Sequence, residues 1–260
     1  MSATNPTLHH NLADRAKQIT QRELRTYVEK TPGSQAANAR AKKVLPLGVP
    51  SSLQAYDPHP IVIAKAQGAW MTDVDGNKLI DFSMGFGALF SGHVNPLVRK
   101  TIETQLDSGT LFVSPAEITA DVAELLRDRF GLPLWRFTNS GTESTMDAIR
   151  VARGVTGRDK IVKVEGGYHG HHDVVMVSQK PDLRFAGPAD NPLSVPSSAG
   201  VTEAVVRDTI VIPFNDADAL ERALSRNDVA CFIVEPVMEN IGICLPQPGY
   251  LEDVRRITRE

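Results

Sequence analysis

From Asn95 onward the apolar positions recur in two alternating ways, at steps of three and four residues and as short β-branched runs. The first spacing predicts helices over 96–107, 116–129, 143–154, 216–225 and 249–260, and the runs predict strands over 134–138, 160–164, 174–177, 208–213 and 230–235. Strands separated by helices need crossover connections, so the expected class is α/β, with a mainly parallel sheet and helices on both faces. The earlier part of the chain reads differently. Asn11 to Leu45 is polar and helix-prone, broken at Thr31-Pro32-Gly33, with Ser34 placed to cap a second helix. I-V-I-A-K-A and A-W-M-T-D-V-D-G-N-K-L-I-D-F then read as strands around a tight Asp75-Gly76 turn. The expected organisation is an N-terminal helical and β-hairpin segment over 1–90 and a large domain over 91–260. Gly187 to Gly200, rich in Pro, Ser and Ala, reads as a surface loop, and no internal repeat is visible.

The richest stretch is F-T-N-S-G-T-E-S-T-M-D-A-I-R-V-A-R-G, Phe137 to Gly154. Leu134 to Phe137 would supply a buried strand, and Ala148, Val151, Ala152 and Val155 an apolar helix stripe. Asn139-Ser140-Gly141-Thr142 then marks the carboxyl end of a sheet strand, where open α/β sheets bind ligands and a helix N-terminus favours an anion. Gly141 allows close approach and the hydroxyls of Ser140 and Thr142 can donate to phosphate oxygens. Ser, Thr and Asn are also the usual N-cap residues, so on these positions alone a plain cap and a phosphate cup both stand. No G-x-x-x-x-G-K-[ST] occurs, and G-F-G-A-L-F, Gly85 to Phe90, lacks the third glycine of a dinucleotide turn.

Composition narrows the classes. With 260 residues, 42% of them hydrophobic and 23% charged, the chain can build a sizeable core. A net charge of −3 without a basic stripe argues against nucleic acid. The polar start M-S-A-T-N-P-T-L-H-H has no signal-peptide pattern, and no apolar run approaches a membrane span of about 20 residues. Cys231 and Cys244 lack metal-ligand spacing and form no disulfide framework, so a cytoplasmic protein is expected. His169, His171, His172 and Asp173 are not expected to hold a metal, since adjacent residues of an extended segment face opposite ways and no Cys or Glu completes the set.

Three further stretches bear on the cup. V-E-G-G-Y-H-G-H-H-D, Val164 to Asp173, presents Tyr168 at a strand end, where its ring can lie flat on a planar ligand. A-C-F-I-V-E-P-V-M-E-N-I-G, Ala230 to Gly242, delivers Glu235 and Asn240 at another strand end. D-F-S-M-G-F-G-A-L-F-S-G-H-V-N-P, Asp81 to Pro96, is an aromatic loop punctuated by glycine. Together N-S-G-T-E, G-Y-H-G, V-E-P-V-x-x-N-x-G, D-V-D-G-N-x-x-I-D and G-H-x-N-P resemble the class-III aminotransferases, pyridoxal-phosphate enzymes of fold type I. The resemblance covers about residues 36 to 260 and is nearest to the glutamate-1-semialdehyde aminomutase branch, whose Ala-Ile-Arg-x-Ala-Arg and Thr-Gly-Arg-Asp-Lys-Ile pieces match Ala148 to Arg153 and Thr156 to Ile161.

The resemblance implies pyridoxal 5'-phosphate as cofactor, with its phosphate on Ser140, Gly141 and Thr142, its ring under Tyr168, His169 shaping the pocket, and Asn240 near its phenolic oxygen. It puts Glu235 and Glu143 in the polar network around the ring, and Ser51, Gln54 and Phe86 towards the substrate. It also implies a small-molecule amino donor, a carbonyl acceptor and a homodimer. The family's Schiff-base lysine and the carboxylate for the ring nitrogen would follow beyond Glu260. None of the ten lysines, the last of them Lys180, stands in that context, so the chain is expected to be an N-terminal portion, inactive alone. The aminomutase branch carries an Arg where Gln54 stands and a Trp where Phe86 stands. An uncharged amide lacks the charge and fork geometry of a guanidinium, which favours an aminotransferase over a semialdehyde mutase. A non-catalytic relative that binds a partner chain is the remaining alternative.

Overall fold

The computed structural model describes residues 6–259. The opening Met1 to Asn5 and the final position of the helix expected over 249–260 lie outside the described residues. The chain divides into two compact units that meet between Ala116 and Glu117.

The first unit holds helices α1 (Pro6–Lys30) and α2 (Pro32–Ala41), an antiparallel sheet of β1 (Ile63–Gln67), β2 (Trp70–Asp73) and β3 (Lys78–Ile80), and helix α3 (Pro96–Leu106). Gly76 takes a φ of 86° in the β2–β3 turn, a backbone state that glycine adopts without strain. The break falls later than residue 90 because the aromatic loop returns to this sheet. Gly68 and His93 exchange two backbone bonds of 2.8 Å, and His93 Nε2 lies 2.8 Å from the Asp81 carboxylate. Ser34 is not the cap expected of it. The second helix starts at Pro32, and Ser34 sits buried in its first turn, its hydroxyl donating to Asp75 at 3.0 Å. Asp75 does the capping from the hairpin turn, accepting from the N–H groups of Gly33 at 2.5 Å and Ser34 at 2.9 Å.

The second unit runs α4 (Glu117–Phe130), α5 (Gly141–Thr156), β4 (Lys160–Val164), α6 (Glu203–Asp208), β5 (Thr209–Ile212), α7 (Ala217–Leu224), β6 (Val229–Ile233) and α8 (Tyr250–Ile257). β4 lies between β5 and β6 and runs parallel to both. Strand side chains alternate, so Val162 and Val164 face one way and Ile161 and Lys163 the other. Val162 and Val164 pack with Ile212, with Leu220 and Ala223 of α7 and with Ile257 of α8, while Ile161 packs with Ile149 of α5 and with Val175. Helices therefore cover both faces, as the sequence implied.

Three expectations fail. Residues 134–138 form no strand, because both edges of β4 are taken by β5 and β6 and the segment pairs with neither outer strand; Leu134 is 88% exposed and Phe137 46%. Residues 174–177 contain a single 3₁₀ turn and an isolated bridge from Val177 to Pro196. Val175 and Val177 are wholly buried, and a short apolar run reports burial whatever its backbone. Of the expected stripe Ala148, Val151 and Val155 are exposed and Ala152 is half-buried, and Ile149, one step round the helix, meets the sheet instead.

Ile161 is fully buried between α5 and the Val175 turn. Replacing Ile161→Ala is expected to cost about 3 kcal/mol in urea denaturation followed by circular dichroism, whereas Leu183→Ala, on the surface, stays within about 0.5 kcal/mol.

Candidate functional site

The first turn of α5 carries a reciprocal cap. Ser140 Oγ accepts from the Glu143 N–H at 3.2 Å, and the Glu143 carboxylate accepts from the Asn139 N–H at 2.7 Å. Glu143 thus closes the helix end, and the S-x-x-E spacing of Ser140 and Glu143 was its signal in the sequence. The Ser140 carbonyl takes the Ser144 N–H at 3.1 Å. The N–H groups of Gly141 and Thr142 remain, with no protein acceptor among the described residues. The cap uses the third amide of the turn and leaves the first two at the positive end of the helix dipole.

The loop after β4 rests on this turn. Gly170 has a φ of 101°, and a Cβ there would lie 2.6 Å from Thr142 Oγ1 and 2.8 Å from its Cα, so only glycine permits the contact. The His171 N–H donates to Thr142 Oγ1 at 3.3 Å, and Thr145 Oγ1 donates to the His169 carbonyl at 2.6 Å. Sequence reasoning missed Thr145, whose role depends on which loop passes the helix. Tyr168 stands on the same loop, 45% exposed.

The loop after β6 completes the arrangement. One Glu235 oxygen accepts from the Tyr168 N–H at 2.7 Å, and the other accepts from Glu239 N–H at 2.8 Å and Asn240 N–H at 3.4 Å. Asn240 Nδ2 donates to the Gly166 carbonyl at 2.8 Å. Glu235 is a brace between two loops, its oxygens occupied by backbone. Ser140, Gly141, Thr142, Tyr168, His169, Glu235 and Asn240 are thus linked in one network at the carboxyl ends of β4 and β6.

His169 is buried, its ring against Gly167, and its Nε2 has no partner among the described residues. Burial, and then the positive charge of Lys163, push its pKa from 6.5 down to about 4, so the imidazole is neutral at physiological pH. His172 Nε2 lies 3.2 Å from Thr145 Oγ1 and His171 is exposed, so the three histidines diverge. Among the described residues no three His, Cys, Asp or Glu are placed to hold an ion.

Ser51, Gln54 and Phe86 belong to the first unit. Gln54 and Phe86 line one cavity of about 720 Å³ with Arg40, Leu53, Tyr56 and Ile61, while Ser51, beside the lining residue Pro50, is outside it. Phe86 is held at a φ of 56° on its exposed loop.

Residues 52–260 match the family described as "Aminotransferase class-III". The chain belongs to the class-III aminotransferase family. It is 42% identical over 228 residues to the glutamate-1-semialdehyde 2,1-aminomutase of Methanothrix thermoacetophila, covering 87% of this chain and 52% of that protein. Among solved structures it superposes on an omega-transaminase from Sphaerobacter thermophilus with a TM-score of 0.84 and 36% identity, covering 89% of this chain and 54% of that one. A glutamate-1-semialdehyde-aminomutase from Pseudomonas aeruginosa PAO1 in complex with PMP gives a TM-score of 0.85 and 34% identity, covering 95% and 53%. The class-III chain therefore has the fold of the type I pyridoxal-phosphate transferases and spans about half the length of the relatives it matches.

The His169 environment predicts a pH dependence. An unfolded chain protonates this imidazole near 6.5 and the folded class-III chain only near 4, so between those values the unfolded state binds more protons. Stability is full above pH 6.5 and falls on acidification towards 4, by on the order of 3 kcal/mol for a shift of this size. Urea midpoints measured from pH 7 to 4.5 should decline in the wild type and decline less steeply in His169→Gln.

Proposed function

We propose that this network binds pyridoxal 5'-phosphate and that the protein transfers an amino group between an amino acid or amine and a keto acid or aldehyde. The observation that carries the reading is the pair of N–H groups of Gly141 and Thr142, unclaimed among the described residues, on a turn against which the loop bearing Tyr168 rests at Gly170 and His171. Two amides at a helix N-terminus suit a phosphate dianion. Thr142 Oγ1 accepts from His171 and so keeps its own proton for a phosphate oxygen, and the Ser140 hydroxyl keeps its proton likewise. Tyr168 would stack on the pyridine, neutral His169 would border the pocket, and the second hydrogen of Asn240 Nδ2 would be available to the phenolic oxygen. Glu235 serves the site by fixing where Tyr168 and Asn240 begin. The cofactor, when bound, supplies the electron sink that lets an amino acid release its Cα proton. The relative from Pseudomonas aeruginosa, solved with PMP, supports the same cofactor.

The finer reading is an aminotransferase with separate donor and acceptor, supported by the uncharged Gln54 on the first unit's cavity. Intramolecular transfer, as in glutamate-1-semialdehyde 2,1-aminomutase, is the second reading, favoured by the name of the 42% identical relative. We further propose a homodimer, supported by the uncovered apolar positions Leu97, Ile102 and Leu106 of α3. A cytoplasmic location fits the unpaired Cys231 and Cys244.

Titration with pyridoxal 5'-phosphate, read by absorbance and tyrosine quenching, should saturate at one site per chain, and Thr142→Ala should weaken it about tenfold with an unchanged circular dichroism spectrum. Equal affinity of the two proteins removes the phosphate cup. Amino transfer between separate molecules supports the first finer reading. Conversion of the semialdehyde without added acceptor supports the second.

A further inference from the structure

Lys163 is wholly buried one residue before the end of β4, and the reading above gives it no role. A buried ammonium is tolerated only where other groups replace its water. Here two carbonyls do so: Nζ donates to Val164 O at 3.0 Å and to Val177 O at 2.8 Å. Those carbonyls flank the turn on which the ring-bearing loop hangs. Gly167 N–H donates to Val164 O at 3.1 Å, and Gly166 N–H donates to Ser178 O at 2.8 Å, next to Val177. Asn240 Nδ2 holds the outer side of the same turn through Gly166 O. An apolar side chain of equal length would fill the space and leave the Val177 carbonyl buried without a donor.

We propose that Lys163 is a positioning residue for the cofactor loop: its ammonium ties the end of β4 to the segment at Val177 and so fixes where Tyr168 and His169 emerge. The step from loop to cofactor rests on the pyridoxal-phosphate reading, whereas the link from Lys163 to the loop does not. Two buried polar atoms in this region, His169 Nε2 and Glu165 Oε1, have no hydrogen-bond partner and feel the ammonium through space. Around Lys163 the charged groups are Glu165 and Glu235, and around His169 they are Lys163, Glu235 and His172. Burial lowers the lysine itself to about 8, against the opposing pull of the two carboxylates. Its proton is therefore lost within an accessible range, and the imidazole nearby can report the loss.

The test is a proton–carbon NMR titration of the His169 Cε1–H signal in the full 260-residue chain without cofactor, assigned with His169→Gln. The wild type should show one inflection at about 4, its own, and a second at about 8 as Lys163 deprotonates. Lys163→Met should remove the upper inflection, raise the lower midpoint, and weaken pyridoxal 5'-phosphate binding on the order of tenfold. Lys163→Gln, which keeps a donor without the charge, should recover part of the affinity and none of the upper inflection. A wild-type profile flat above pH 7 overturns the proposal, and so does a folded Lys163→Met with unchanged midpoint and affinity. Should Lys163→Met not fold, the wild-type titration alone decides. A wild type that binds no pyridoxal 5'-phosphate removes the cofactor reading and leaves the lysine–histidine coupling to be judged by the titration.

Discussion

Two peptide N–H groups at the start of α5 are the constraint around which the second unit is arranged. Every helix begins with amides that its own carbonyls cannot reach, and most proteins spend side chains on them. Here Ser140 takes the Glu143 amide and Glu143 reaches back to Asn139, while Gly141 and Thr142 are left open. The unsatisfied pair persists because the rest of the turn is so fully bonded that the helix does not need them. A helix end built in this way leaves two donors at the positive end of its dipole.

Around that opening the protein uses backbone bonds where side-chain contacts might have been anticipated. Glu235 spends both oxygens on the amides of Tyr168, Glu239 and Asn240, and Asn240 spends one hydrogen on Gly166. The acidic and amide side chains thereby set loop geometry, and the loops present an aromatic ring and a neutral imidazole. Lys163 fits the same pattern from inside the sheet. A buried charge that binds carbonyls has one preferred place, and that fixity passes to the turn above it.

The first unit holds a cavity lined by Gln54 and Phe86, and Arg40 is the charged residue among the described ones that line it.

The sequence alone determined the class and the order of elements, because spacing of apolar residues is a local property: α3, α4, α5, β4, β5, β6 and α7 stand within a few residues of their expected places. It also singled out the turn from Ser140 to Thr142, although on those residues alone a helix cap and an anion cup are not distinguishable. It could not decide which side of α5 meets the sheet, for Ile149 and the Val151 stripe are both apolar and only the position of β6 and Val175 chooses between them. Nor could it tell that Leu134 to Phe137 lacks a strand partner, that Asp75 rather than Ser34 caps α2, or that Lys163 is buried. Each of these depends on which distant segment arrives as a neighbour, and burial, pairing and satisfaction of polar groups are properties of neighbours in space.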